Sequence, residues 1–128
     1  MKFKPLLTLV ILFTIISCQS QTSESIKTIK VTAFAKEIKS SKKPQLLDVR
    51  TPTEYTEGHI DNALNIDWQG SHFEHEVQKL DKNKAVYVYC RSGKRSLKAS
   101  EKLAELGFKK IYNLDGGFLQ WTSENQKK

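Results

Sequence analysis

Residues 85–96 read Ala-Val-Tyr-Val-Tyr-Cys-Arg-Ser-Gly-Lys-Arg-Ser. Their first half is β-branched and aromatic, which is typical of a buried strand, and their second half is a polar loop with one glycine. Leu97, Leu103 and Leu106 then recur at helical spacing. Gly107 follows as a helix stop. A strand that passes through a short loop into a helix predicts an α/β fold.

The rest of the chain alternates in the same way. Strands are predicted for four short apolar segments, at Leu46–Val49, Ala63–Ile66, Ala85–Cys90 and Lys110–Leu114. Helices are predicted for three amphipathic segments, at Thr32–Ser40 with Thr32 as N-cap, at His72–Leu80 and at Lys94–Leu106. Strands alternating with helices imply a mostly parallel central sheet with helices on both faces.

Cys90 stands at the carboxyl end of its predicted strand, where the ligand sites of open α/β sheets lie. Three features would lower the pKa of its thiol: the positive end of the next helix, the loop amides, and the cations Arg91, Lys94 and Arg95. Gly93 allows the tight turn that brings successive amides to the sulfur. Because the thiolate is the nucleophilic form, the loop predicts covalent chemistry on an anionic substrate. The alternative is a small, buried, unreactive cysteine.

This loop resembles the active-site loop of the rhodanese-like sulfurtransferases. Further blocks match that family in the family's order: Leu47 to Tyr55, Gly58 to Ile60 with Ala63 to Ile66, and Asn113 to Gly117 with Trp121. The resemblance covers roughly residues 26–124 and implies a rhodanese-like α/β fold there. Asp61-Asn62 departs from the Pro-Gly common in the family, but both residues suit a turn.

The resemblance implies a double displacement that needs no metal or organic cofactor. The Cys90 thiolate would take the sulfane sulfur of an anionic donor such as thiosulfate. The resulting persulfide would then pass this sulfur to a thiol or to cyanide. The donor and the persulfide would be bound by the loop residues, which are Arg91, Ser92, Gly93, Lys94, Arg95 and Ser96.

The family also includes dual-specificity phosphatases, whose loop has the spacing Cys-x5-Arg. Here Arg95 gives the spacing Cys-x4-Arg, and position 96 is a serine. The shorter loop suits a sulfur atom better than a phosphoryl group, so a phosphatase is the less favoured interpretation.

Several supporting residues have two interpretations each. Arg95 would either orient the donor anion or be tied into the structure through a carboxylate. Asp48 and Arg50 are interpreted as a structural ion pair that fixes the loop rather than as catalytic groups, with Glu54 in the same network. His59 could act as the base of Cys90, but it is interpreted as a structural histidine.

The first 17 residues predict a leader rather than part of the domain. Lys2 and Lys4 precede Leu6–Ile16, of which nine of eleven residues are apolar, too few to span a bilayer. Cys18 follows at once, in a pattern that resembles a bacterial lipobox, and would carry a lipid. The alternative is an ordinary cleaved signal that happens to contain a cysteine.

This interpretation divides the chain into four parts: a leader at 1–17, lipidated Cys18 with a polar tether at 18–25, the domain at 26–124 and a polar tail at 125–128. The expected location is the extracytoplasmic or periplasmic face of a bacterial cell envelope, held at the membrane by the Cys18 lipid.

Composition excludes several function classes. A chain of 128 residues with two cysteines is one small domain and not a disulfide-rich scaffold. Its formal charge is +7, and the leader takes two of its 21 basic residues. The pairs Lys42-Lys43, Lys109-Lys110 and Lys127-Lys128 are scattered without interleaved aromatic residues. They are interpreted as solvated surface, so no nucleic-acid partner is expected, and a monomer is expected.

Two further hypotheses remain open at this point. His72 and His75 are three residues apart and could face one metal ion, but no further ligands are evident, so no metal site is expected. The alternative to an enzyme is a lipid-anchored sulfur carrier or protein-binding module with little turnover. The presence of Cys90 favours the enzyme.

Overall fold

The computed structural model describes residues 2–3 and 24–126. Within residues 26–126, five strands alternate with five helices. In chain order these are β1 (Ile26–Ile29), α1 (Val31–Ser40), β2 (Gln45–Asp48), α2 (Pro52–Glu57), β3 (Leu64–Asn65), α3 (Phe73–Val77), β4 (Val86–Tyr89), α4 (Lys94–Glu105), β5 (Ile111–Leu114) and α5 (Gly117–Asn125).

The strands form one sheet in the order β1-β5-β4-β2-β3, and every neighbouring pair is parallel. Strand β4 lies in the centre, and all four of its residues are buried. A strand covered on both faces needs apolar side chains at every position, which explains the continuous apolar run before Cys90. The predicted parallel sheet is confirmed.

Helices cover both faces of the sheet, as predicted. On one face α3 and α4 pack against the strands through Phe73, Val77, Ala99 and Leu103. On the other face lie α1, α2 and α5, whose contacting side chains are Phe34, Tyr55, Phe118 and Trp121. Because each parallel strand ends at the same edge, the loops after β2, β4 and β5 meet at the carboxyl end of the sheet.

The four predicted strands and three predicted helices all form, with shifted ends. The second predicted helix is shorter than expected, at Phe73–Val77. The prediction of Thr32 as an N-cap is wrong, because α1 begins one residue earlier and Lys30 occupies the cap without a side-chain hydrogen bond. Strand β1 and helices α2 and α5 were not predicted.

Apart from residues 2–3 and 24–25, the predicted leader, Cys18 and the tether lie outside the described residues. Within residues 2–3 and 24–126, no helix combines the length and the apolar character that crossing a bilayer requires.

Candidate active site

Cys90 directly follows β4 and is buried, with 1% of its surface exposed. The chain then turns through Gly93, whose φ of 109° is a left-handed value that favours glycine. This turn aims the Gly93 amide at the sulfur, with 3.1 Å between N and Sγ. Helix α4 begins at the next residue, so its positive end also faces the thiol.

The loop lowers the pKa of the Cys90 thiol by hydrogen bonding. Burial acts to raise this pKa, but the Ser96 hydroxyl, the Ser96 amide and the amides of Gly93 and Ser92 all favour the thiolate. The donors outweigh the burial, so the pKa lies below the ordinary value. The loop therefore favours the nucleophilic thiolate, although Cys90 is almost completely buried.

The three loop cations differ in their surroundings. Arg91 and Lys94 are exposed. Arg95 instead makes two hydrogen bonds of 2.7 Å to the Glu54 carboxylate. Of the two interpretations of Arg95, the structure thus supports the tie to a carboxylate, and its charge is largely balanced by Glu54.

Glu54 joins the loop to α2. The Arg95 hydrogen bonds lower the pKa of its carboxyl to about 2 in spite of partial burial, and hydrogen bonds from Thr51 add to this effect. The Thr51 amide donates to the Glu54 carboxylate at 3.0 Å, and the Glu54 amide donates to the Thr51 hydroxyl at 3.3 Å. This capping box starts α2 and fixes the carboxylate that holds Arg95.

Asp48 and Arg50 form a separate, buried ion pair. The Arg50 guanidinium donates to both oxygens of Asp48, with a shortest contact of 2.7 Å. It also donates to the Gly58 carbonyl at 2.7 Å and stacks 4.3 Å from the centre of the Phe118 ring. The pair therefore ties β2 to the end of α2 and to α5. Glu54 binds Arg95 rather than joining this pair by hydrogen bonds, in contrast to the predicted single network.

His59 lies beside its own helix. Its ring is stacked on Tyr55, with 3.7 Å between the ring centres, and its Nδ1 atom lies 2.9 Å from the Tyr55 carbonyl oxygen. The side chain is exposed, whereas Cys90 is buried. These contacts are those of a structural histidine.

The paired glycines that precede α5 hold the loop, and sequence reasoning did not place them in the site. The Phe118 amide donates to the Cys90 carbonyl at 2.8 Å, and the Leu119 amide donates to the Arg91 carbonyl at 3.1 Å. A Cβ atom on Gly117 would lie 2.5 Å from the Arg91 carbonyl oxygen. The adjacent glycines after β5 were the available signal for this close approach.

A cleft of about 270 Å³ opens beside the loop. It combines two arginines, two acidic residues and an apolar wall, contributed by Arg50, Arg91, Glu54, Glu57, Gly58, Phe118 and Leu119. Leu119 is 47% exposed, so part of the apolar wall is open to solvent. Within residues 2–3 and 24–126, no group of three or more His, Cys, Asp or Glu side chains is placed to hold a metal ion.

Comparison with known proteins bears on this geometry. A family model described as the Rhodanese-like domain matches residues 31–124. The thiosulfate sulfurtransferase GlpE of Shewanella oneidensis is 34% identical over 85 residues, which cover 66% of this chain and 82% of GlpE. YrkF of Bacillus subtilis, whose name contains the words sulfur carrier protein, is 32% identical over 107 residues. This match covers 84% of the chain but 57% of YrkF, so the chain spans little more than half of that relative.

Comparison with solved structures also finds a rhodanese-like domain. The crystal structure of a rhodanese-like domain protein from Staphylococcus aureus superimposes with a TM-score of 0.67 at 32% identity. The match covers 74% of this chain and 90% of that one. The fold is therefore shared over almost the whole of the neighbouring domain.

Proposed function

We propose that this chain, which belongs to the rhodanese-like domain family, is a sulfurtransferase that carries sulfane sulfur on Cys90. The observation that carries the proposal is the hydrogen bond from the Gly93 amide to Sγ, in a loop that lowers the pKa of the thiol. Relatives named sulfurtransferase or sulfur carrier support the same chemistry.

The first half-reaction loads the cysteine. The Cys90 thiolate attacks the outer sulfur of a thiosulfate-like donor, a new S–S bond forms, and the donor's own S–S bond breaks with its electron pair. Sulfite leaves in the case of thiosulfate. The terminal sulfur of the persulfide then takes the place among the amides that the thiolate held before. Arg91, which is exposed at the mouth of the site, is suited to attract the anionic donor.

The second half-reaction empties the cysteine. A thiolate or cyanide attacks the terminal sulfur, and the Cys90 thiolate is the leaving group. Because the loop amides stabilise that thiolate, they favour its departure, and in the first half-reaction they raise the fraction of Cys90 in the attacking form. We infer that an acceptor approaches through the cleft beside the loop, which is lined in part by Arg91, Phe118 and Leu119.

We also propose that Cys18 carries a lipid that holds the domain at a bacterial cell envelope. The support is the apolar run Leu6–Ile16 directly before Cys18 and the polar residues after it. In this arrangement the two cysteines have separate tasks, one as the anchor and one as the nucleophile.

Intact-mass spectrometry of the chain isolated from detergent extracts of whole bacterial cells tests both proposals. Treatment with thiosulfate should add one sulfur atom at Cys90, and a thiol added afterwards should remove this atom. With both reagents in excess, the chain should repeat the cycle many times. Cys90→Ser should abolish the added sulfur and keep the lipid, whereas Cys18→Ser should abolish the lipid and keep the added sulfur.

Together the two variants distinguish failure of the sulfurtransferase proposal from failure of the anchor proposal. A wild-type chain that takes up no sulfur, like Cys90→Ser, would contradict the sulfurtransferase. Uptake of a single sulfur without multiple turnover would favour the sulfur carrier. A wild-type mass without lipid would contradict the anchor alone.

A further inference from the structure

Seven lysines lie at the amino end of the sheet, opposite the Cys90 loop. They are carried by the three segments that lead into β2, β4 and β5, at residues 41–44, 78–85 and 106–110. These lysines form what we term the lysine face: Lys42, Lys43, Lys79, Lys82, Lys84, Lys109 and Lys110. Asp81 is the single acidic residue in the same three segments.

The three segments are in direct contact. The Gln45 side chain donates to the Asp81 carbonyl at 2.9 Å and accepts from the Asp81 amide at 2.7 Å. The Lys109 amide donates to the Lys82 carbonyl at 3.3 Å. Pairs of lysines that are far apart in the sequence therefore belong to one continuous surface.

The charge of this surface is mostly uncompensated. Six of the seven lysines are exposed and Lys82 is half-buried. No ion pair within residues 24–126 uses any of the seven. Two flanking carboxylates are Glu37, which interacts with Lys110, and Glu105, which pairs with Lys102 at 3.3 Å. The lysines outnumber these acidic groups.

The tether reaches the domain at the same end. Strand β1 runs parallel to β5, with Ile26 opposite Ile111, so the chain enters the sheet beside the lysine face. Cys90 leaves β4 at the other end, after Tyr89. A four-residue strand is about 13 Å long, so the thiol and the point of entry are separated by roughly this length, at opposite ends of the strands.

We propose that the lysine face rests on anionic phospholipid headgroups and that the Cys90 loop therefore points away from the membrane. The proposal depends on the anchor at Cys18, because a short tether at this end brings these lysines to the bilayer first. Each lysine near an anionic surface adds a favourable electrostatic contribution. Orientation, rather than attachment, is then the task of the lysines, and the substrates reach Cys90 from the aqueous side.

Acylation of lysines on vesicles tests this orientation. The lipidated full-length chain is reconstituted on vesicles of phosphatidylcholine alone or with phosphatidylglycerol, and a water-soluble amine-acylating reagent is applied. Mass spectrometry then gives the extent of modification at each lysine. We expect the lysine face to be protected at least about threefold by phosphatidylglycerol, with Lys94 and Lys98 equally modified on both vesicles. High salt should remove the protection.

A matched pair of variants controls for net charge. Lys109→Glu with Lys110→Glu should weaken the protection of Lys42 and Lys84, whereas Lys36→Glu with Lys98→Glu, with the same change in charge, should not. Equal modification on both vesicles, or equal effects of the two double variants, would overturn the proposal. So would protection that appears only with added single-stranded DNA or an acidic protein.

The experiment also distinguishes the lack of a lipid anchor from the lack of a preferred orientation. A chain that leaves phosphatidylcholine vesicles has no stable anchor. In that case protection of the lysine face on phosphatidylglycerol vesicles, or its lack, still decides whether this face binds anionic lipid.

Discussion

The Ser96 hydroxyl has two acceptors within reach, the Cys90 sulfur and the Gly93 carbonyl oxygen, the latter at 3.2 Å. Its single proton serves one of them at a time. When Cys90 is a thiolate, the charged sulfur is the stronger acceptor. The hydroxyl thus favours the thiolate over the thiol, in addition to the fixed amides of the loop.

Ser96→Ala should therefore raise the pKa of Cys90, because a donor to the thiolate is lost while the burial remains. In a Cys18→Ser background, where only Cys90 is alkylated, the midpoint of the iodoacetamide rate against pH should move to higher pH. Wild type should titrate below an ordinary cysteine. Ser100→Ala is the matched control, because it also removes a buried serine hydroxyl, but one that donates to the Ser96 carbonyl at 2.7 Å and not to the sulfur. Equal midpoints for wild type and Ser96→Ala would contradict this role.

Glu54 links acid stability to the loop. Its pKa is about 2 in the folded chain against an ordinary value of 4.5. Between these two pH values the unfolded chain therefore binds more protons than the folded chain. The contribution of Glu54 to the stability of the fold is complete above about pH 4.5 and is lost as the pH falls toward 2. In the folded chain Arg95 keeps its ionised partner until the pH approaches 2.

Glu54→Gln should remove this part of the acid dependence, because an amide does not titrate. Urea unfolding at several pH values from neutral to 2 should show a shallower loss of stability in the variant and a lower stability near neutral pH. Glu57→Gln is the control, since Glu57 is exposed at the end of the same helix. A variant with the wild-type pH dependence would assign the effect to another group.

At the residue scale the sequence was informative about Cys90 but left two interpretations of Arg95 open. A cysteine at a strand end followed by a polar loop can be recognised from chain order, because all of its donors are within six residues. The partner of Arg95 is Glu54, 41 positions earlier, and several carboxylates were equally plausible partners. Long-range pairing is decided by packing, which the local pattern does not contain.

Helix α5 acts on the Cys90 loop through its first turn. Gly116 and Gly117 have φ values of 74° and 59°, and this left-handed pair directs the amides of Phe118 and Leu119 toward the loop carbonyls. The approach is so close that no side chain fits at Gly117, whose Cβ would also lie 2.6 Å from the Cys90 carbonyl oxygen. The helix holds the backbone of the loop, whereas α4 supplies donors to its sulfur.

Gly117→Ala should displace this helix from the loop. The strained φ and the contact with Arg91 together should cost roughly 1 to 3 kcal/mol of stability and lower sulfur transfer more than the loss of folded protein explains. Thermal unfolding and persulfide formation on the same sample would measure both. Gly107→Ala is the control, because its φ is also positive but its Cβ would meet only the flexible Lys82 side chain at 3.8 Å. Equal effects of the two substitutions would contradict the close-approach argument.

The elements that sequence reasoning missed are those with weak periodicity. Strand β1 has four residues at the sheet edge with two exposed, so no apolar run marks it. Helix α2 has six residues, none of them buried, and only Thr51, Pro52 and Glu54 signalled its start. Helix α4, which has twelve residues and one regularly buried face, was predicted to within a residue at each end, because burial itself imposes the pattern.

The whole molecule has two chemically different ends. Parallel strands bring the reactive loops to one end and the lysine face to the other, so pairs that looked scattered along the sequence share a surface. This arrangement follows from strand order, which periodicity alone does not give. The fold class was predictable because four strands and three helices alternate, whereas the placement of charge required the order β1-β5-β4-β2-β3.

The clamp of α5 on the Cys90 loop also relates the site to the time course of biosynthesis. The ribosome makes residues 90–96 before it makes residues 116–119, so the nascent loop lacks the two amides that later bind its carbonyls. Domains generally acquire their structure as units, and here the last helix closes the unit. We therefore expect the backbone of the loop to reach its final geometry only after residues 116–119 have been made, although the donors to the sulfur lie within residues 92–96.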